Sequence, residues 1–152
     1  MKDVEKIIRD YIPSVIHLSL ATCVDNKPWV CEVHFAYDED LNLYFRSLTT
    51  RRHSQEIAKN PQVAGNIVQQ FGVDDIPLGV YFEGTAEMLK PGPAQQKAFA
   101  CIKARLHTSD AILEEATRTD GHQFYKISVA SYSVFGVFEG SAQKLELAWH
   151  NN

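Results

Sequence analysis

Ser47-Leu48-Thr49-Thr50-Arg51-Arg52-His53-Ser54 is the stretch where the chain changes period. Before it, Val15 to Cys23, Trp29 to Tyr37 and Leu41 to Ser47 are rich in β-branched, aromatic and apolar residues. Asp25-Asn26-Lys27-Pro28 and Asp38-Glu39-Asp40 separate them with turn chemistry, so the three runs read as an antiparallel meander. After it, Arg51 to Lys59 reads as a short helix, capped by a threonine and closed before Pro61. His53 is expected on the exposed face of that helix, or as an extra donor at its start.

Working outward, Val4, Ile7, Ile8 and Tyr11 recur at helical spacing, and Pro13 stops that helix. Gln62 to Gln70 returns to strand, 72–77 is a loop, and Leu78 to Leu89 is a long strand with Gly84 placed for a bulge. Ala94 to Leu106 and Asp110 to Arg118 are helical in composition. Gln123 to Phe138 is the longest β-rich run, and Lys144 to Trp149 supplies a final strand. The sum is an α+β class domain over 1–152, with six to seven strands and two to four helices. Its sheet must close or be covered to avoid bare edges.

Composition narrows the function. Of 152 residues, 45% are apolar and 22% charged, which fits a folded globular chain. The net charge of −4 gives no general attraction to nucleic acid or anionic lipid, so an anion site must be a local cluster of cations. Met1 to Asp10 has no signal-like apolar core, and no apolar run is long enough to span a membrane. Cys23, Cys31 and Cys101 form no C-x-x-C pair and fit free thiols in a reducing cytoplasm. His17, His107, His122 and His150 are scattered without ligand spacing, so no metal is expected. Dinucleotide, P-loop and G-x-S-x-G signatures do not occur in the sequence.

The opening segment carries the chemistry. The first turn of a helix has free N–H groups and partial positive charge, so it draws anions. Arg51 and Arg52 add the charge-assisted donors a phosphate needs. Adjacent arginines are also common as solvated surface, and the local chemistry leaves that reading open. Cations beside a helix N-terminus are nevertheless unfavourable unless an anion joins them.

Several features in order resemble the pyridoxamine 5′-phosphate oxidase-like FMN-binding split-barrel superfamily. They are Leu20-Ala21-Thr22, Asn26-Lys27-Pro28, Phe35-Ala36-Tyr37-Asp38, Leu43-Tyr44-Phe45, Thr50-Arg51-Arg52, and Asn60-Pro61-Gln62-Val63-Ala64. The resemblance implies an antiparallel split β-barrel working as a homodimer, with FMN at the subunit interface. It implies that Thr50, Arg51 and Arg52 hold the phosphate, with Ser47 adding a hydroxyl. The strand carrying Cys31, Glu32, Val33 and His34 would run along the flavin, offering chiefly backbone groups.

Each side chain also has a plainer reading. Cys31 can be a small buried hydrophobe, Glu32 a solvent-facing residue, and His34 either an acid–base group or a packing imidazole. Trp149 is kept as a cofactor contact because some relatives bring a C-terminal aromatic to the neighbouring subunit's flavin. No arginine follows Arg118, so the C-terminal Arg-x-His of the vitamin B6 oxidases is missing and that activity is not expected. What the resemblance implies is an FMN oxidoreductase of unassigned substrate, with catalytic residues unassigned. The alternative is a flavin- or haem-binding store on the same fold.

Overall fold

The computed structural model describes residues 3–148. Its geometry starts at Asp25-Asn26, whose φ angles of 52° and 58° make the two-residue turn that suits a tight hairpin. The turn joins β1 (His17–Val24) to β2 (Lys27–His34), paired from Val24 with Lys27 to His17 with His34. Lys27 and Pro28 therefore lie in the strand, not the turn. Pro28 is tolerated because β2 ends the sheet.

The expected meander stops there. At Phe35 the chain leaves β2, and β3 (Ala36–Tyr37) pairs with β4 (Leu43–Ser47) at the opposite end of the sheet. The remaining strands are β5 (Gln62–Ile67), β6 (Leu78–Met88), β7 (Gln123–Phe138) and β8 (Ser141–Ala148). They complete one 8-stranded antiparallel sheet in the order β2-β1-β5-β6-β7-β4-β3, with β8 on β7. A short-period pattern predicts that a segment is a strand, but not which strand it meets. That is why three adjacent strand patterns predict a meander that the chain does not form, while the split-barrel class stands with one strand more than expected. The gap between β2 and β3–β4 is the split.

Long strands must bend to curl such a sheet. The register shifts at Glu83/Gly84, and a Cβ on Gly84 would lie 2.3 Å from the Ser128 carbonyl oxygen. A Cβ on Gly65 would likewise lie 2.2 Å from the Ser19 carbonyl oxygen, so β1 and β5 approach closely there.

Alternation on β4 divides the interior in two. Phe45 points into the barrel, among Leu18, Leu20, Val80, Phe82 and Tyr132, and its ring stacks on Tyr125 at 4.9 Å. Helix α1 (Val4–Tyr11) and the 3-10 turn Ile12–Ser14 close one end of this core through Ile8 and Ile12. Tyr44 points the other way, into a second core with Ala98, Ile102, Ile112 and Phe124. That core sits under α3 (Pro93–Leu106) and α4 (Ala111–Glu115), while α2 (Arg52–Lys59) follows β4 directly. No helix among the described residues is long and apolar enough to cross a membrane.

Arg105, at the end of α3, ties these parts together. Its Nε donates to the Phe35 carbonyl at 3.0 Å, and its Nη2 donates to the carbonyls of Ile12, at 3.1 Å, and Val15. The guanidinium also lies 4.9 Å from the Phe35 ring centroid and 5.0 Å from that of Tyr37. Arg105→Met keeps an apolar stem of similar length but strands these carbonyls. At about 1.5–3 kcal/mol for a charge-assisted bond, the variant is expected to lose about 3 kcal/mol or more of stability. Urea unfolding with an unchanged m value checks this.

Candidate functional site

A cavity of about 780 Å³ opens at the split, within the range of small-molecule and cofactor sites. One wall is the free edge of β2. Antiparallel pairs alternate between bonded and non-bonded, and the bonded pairs include Phe35 with Ile16 beyond the strand end. The alternation turns the backbone N–H and C=O groups of Val30, Glu32 and His34 outward, away from β1. Cys31, Glu32, Val33 and His34 all border the cavity.

The floor is the β4–α2 junction. The residue capping α2 is Arg51, in extended conformation, and no side chain caps the helix. The expected threonine cap is therefore absent. Thr50 sits one residue too early, exposed in the turn and outside the cavity lining. The N–H groups of Arg52, His53 and Ser54 meet no acceptor among the described residues. Arg51 and Arg52 both line the cavity. Arg51 forms no ion pair among the described residues, while Arg52 donates from Nε to Glu56 at 2.8 Å and lies 4.5 Å from the Trp29 ring centroid. Hydrogen bonds from Thr22 and then Arg52 hold the Glu56 carboxyl below the ordinary range.

His53 is buried, contrary to its expected exposure. Because α2 begins at Arg52, His53 turns its ring inward to within 6.2 Å of Phe45. Its Nε2 is 2.7 Å from Ser47 Oγ, and its Nδ1 is 3.3 Å from Cys31 Sγ. Ser47 Oγ donates to the Leu48 carbonyl at 3.3 Å, which assigns the protons. Nε2–H donates to Ser47, and Nδ1 accepts from the Cys31 thiol. Burial, then the Arg51 charge, lowers the His53 pKa. Burial, reinforced by Glu32 and Glu56, raises that of Cys31. The pair is thus a neutral thiol on a neutral imidazole, which removes the driving force for a thiolate nucleophile.

Of the other expected residues, Glu32 is exposed and accepts from Ser19 Oγ at 2.5 Å, and His34 is exposed at the mouth. Trp149 lies outside the described residues.

The far wall was not anticipated. Arg46, Ile102, Leu106, Thr108 and His122 also line the cavity. Arg46 Nη2 donates to Glu115 at 2.5 Å, and His122 donates to the same carboxylate from Nδ1 at 2.7 Å and from its backbone N–H at 3.0 Å. These bonds, His122's first, pull the Glu115 carboxyl down to about 2. Arg46 could have been inferred from its place next to Ser47 on a strand. Thr108 and His122 come from distant loops and carry no local signal.

Fold and cavity together define an α+β split-barrel protein with a cation-edged cavity. The chain belongs to the pyridoxamine 5′-phosphate oxidase family, whose profile matches residues 4–135. Among solved structures it is similar to a haem-binding protein from Mycobacterium smegmatis (TM-score 0.74, 16% identity), covering 97% of this chain and 59% of that one. It is also similar to a haem storage protein from Vibrio cholerae (TM-score 0.68, 15% identity, 90% and 97% covered). A third likeness is to a candidate pyridoxamine 5′-phosphate oxidase from Listeria innocua (TM-score 0.65, 16% identity, 91% and 100% covered). At these identities the likeness is one of fold. No curated protein matches the chain by sequence.

The His53 environment sets a pH dependence. An unfolded imidazole binds its proton near pH 6.5, whereas the folded site resists it. Below about pH 6.5 the unfolded chain binds more protons, so acidification removes stability until the folded pKa is passed. Urea midpoints at pH 7 and pH 5 should fall more for the native chain than for His53→Asn. Equal slopes would show that His53 titrates normally.

Proposed function

We propose that this chain binds FMN at the split and serves as a cytoplasmic FMN-dependent oxidoreductase of unassigned substrate. The observation that carries the reading is the start of α2. There, among the described residues, an uncapped helix turn, an arginine without an ion-pair partner and a second arginine meet at one end of a ligand-sized cavity. Like charges at the positive end of a helix are costly, and a phosphate reverses the sign of that cost. Arg51, Arg52 and the first-turn N–H groups hold the phosphate, while Thr50 stays outside the cavity lining. Ser47 helps to fix His53 beneath it.

The ring lies along β2, where Cys31, Glu32, Val33 and His34 flank it and the outward backbone groups meet its polar edge. The flavin supplies hydride or electron transfer when bound. The chain's residues position it and keep the wall beside it uncharged at Cys31 and His53. β2 is also a bare edge with Trp29 and Val30 40% and 58% exposed, the kind of strand that another surface covers. A second copy of the chain is that surface, which places the cofactor at a homodimer interface.

A second reading, haem binding, draws on the imidazoles of His34 and His122 in the same cavity. A histidine can serve as the axial haem ligand only through a free ring nitrogen, and His53 has both of its nitrogens engaged. The visible spectrum of the loaded protein separates the two, flavin bands supporting the first reading and a Soret band the second. Replacing Arg51 and Arg52 together by alanine removes two charge-assisted contacts. It is expected to raise the Kd for FMN about 100-fold or more, measured by quenching of flavin fluorescence. An unchanged Kd would mean that the phosphate sits elsewhere.

A further inference from the structure

The first turn of α2 meets the sheet at two neighbouring points. Thr22 on β1 and Trp29 on β2 are direct cross-strand partners, so their side chains leave the same face of the sheet. Thr22 Oγ1 donates to Glu56 at 2.5 Å, and the Trp29 ring centroid lies 4.5 Å from the Arg52 guanidinium. Arg52 and Glu56 are one helical turn apart, and Arg52 Nε donates to Glu56 at 2.8 Å. One strand pair and one turn of helix thus close a circuit of four side chains.

That circuit makes the two cavity arginines unequal. Arg51 forms no ion pair among the described residues, whereas Arg52 is held at two points. The Glu56 side chain, 12% exposed, fixes the Nε edge, and the indole lies against the guanidinium. Neither Nη nitrogen of Arg52 meets an acceptor among the described residues, and Arg52 borders the cavity. Binding ordinarily has to immobilise so long a side chain, and one that is already held spares that cost. Glu56 also offsets the charge of Arg52. What Arg52 adds beyond Arg51 is therefore direction, a planar fork fixed in place before an anion arrives.

We infer that Trp29 is a positioning residue that makes the site select a phosphorylated flavin over its unphosphorylated counterpart, by holding the Arg52 guanidinium ready for the phosphate. The inference rests on the cofactor reading above. Trp29 acts from β2, the strand along which that reading lays the ring. One contact thereby ties the ring wall to the phosphate seat.

The Kd values for FMN and riboflavin, read by quenching of flavin fluorescence, test this without any turnover. Trp29→Leu removes the aromatic face and changes no charge. It is expected to raise the Kd for FMN about three- to tenfold and to leave that for riboflavin within about twofold. Trp29→Phe keeps an aromatic face and is expected to restore most of the FMN affinity. In an Arg52→Ala background, Trp29→Leu is expected to change the FMN Kd by less than about twofold, because its effect is carried by Arg52. This last comparison needs FMN alone. Urea midpoints confirm that the variants fold. Equal losses for FMN and riboflavin, or the same loss with Arg52 removed, overturn the inference, because the indole would then act on the ring or the fold. So does an unchanged FMN Kd in Trp29→Leu. Failure of the cofactor reading shows separately, as FMN affinity indifferent to Arg51 and Arg52. The hold on Arg52 is then decided without ligand, by NMR relaxation of its Nε–H. Loss of order in Trp29→Leu upholds it, and unchanged order overturns it.

Discussion

The guanidinium of Arg105 holds the one place where the sheet does not hold itself. Strands β2 and β3 are consecutive in the chain but end opposite sides of the sheet path, so no ladder joins them. The backbone of Phe35 crosses between them. Its N–H still reaches Ile16, but its carbonyl, like that of Val15, points where no strand can answer. One planar fork satisfies these groups together, in a way that a lysine's single ammonium could not. Because Arg105 ends α3, the same contacts set how far the helical layer stands from β2, and hence the width of the cavity.

The split has a second, softer bridge at the cavity itself. Cys31 on β2, His53 on α2 and Ser47 on β4 form a chain of hydrogen bonds across the gap. All three groups are neutral, and the thiol is a weak donor, so this end is held less tightly than the Arg105 end. Neutrality also matters electrostatically. A protonated imidazole beneath Arg51 would add a buried positive charge to a site already crowded with cations. Burial suppresses that charge, leaving the exposed arginines as the sources of positive potential. The positive potential is thus concentrated at the helix start.

Much of this was legible in the sequence, and what was missed has physical reasons. The helical spacing of Val4, Ile7, Ile8 and Tyr11 marks α1, and Gly84 marks the bulge, because both are local requirements of the backbone. Arg51 and Arg52 can be picked out because cations at a helix start are unfavourable, and both do line the cavity. The burial of His53 was hidden because one residue's difference in where α2 starts turns the ring by about 100°. Thr50 was displaced from the lining for the same reason. Strand partnership after Phe35 and the arrival of Thr108 and His122 at the cavity that Arg46 also lines are tertiary facts. They depend on the docking of α3, which no window of a few residues contains.

That dependence gives β4 its importance. A strand must present alternate residues to opposite faces, and at the end of β4 the two faces are two different environments. Ser47 meets a neutral hydrogen-bond network on the barrel side, while Arg46 meets a carboxylate under the helices. Both residues open onto one cavity because the strand ends there, before α2 begins. A site built on such a strand end can address two chemically different groups without enlarging the fold. The geometry of a pleat places a charged donor and a neutral hydroxyl one residue apart, and the flanking elements decide what each can bind.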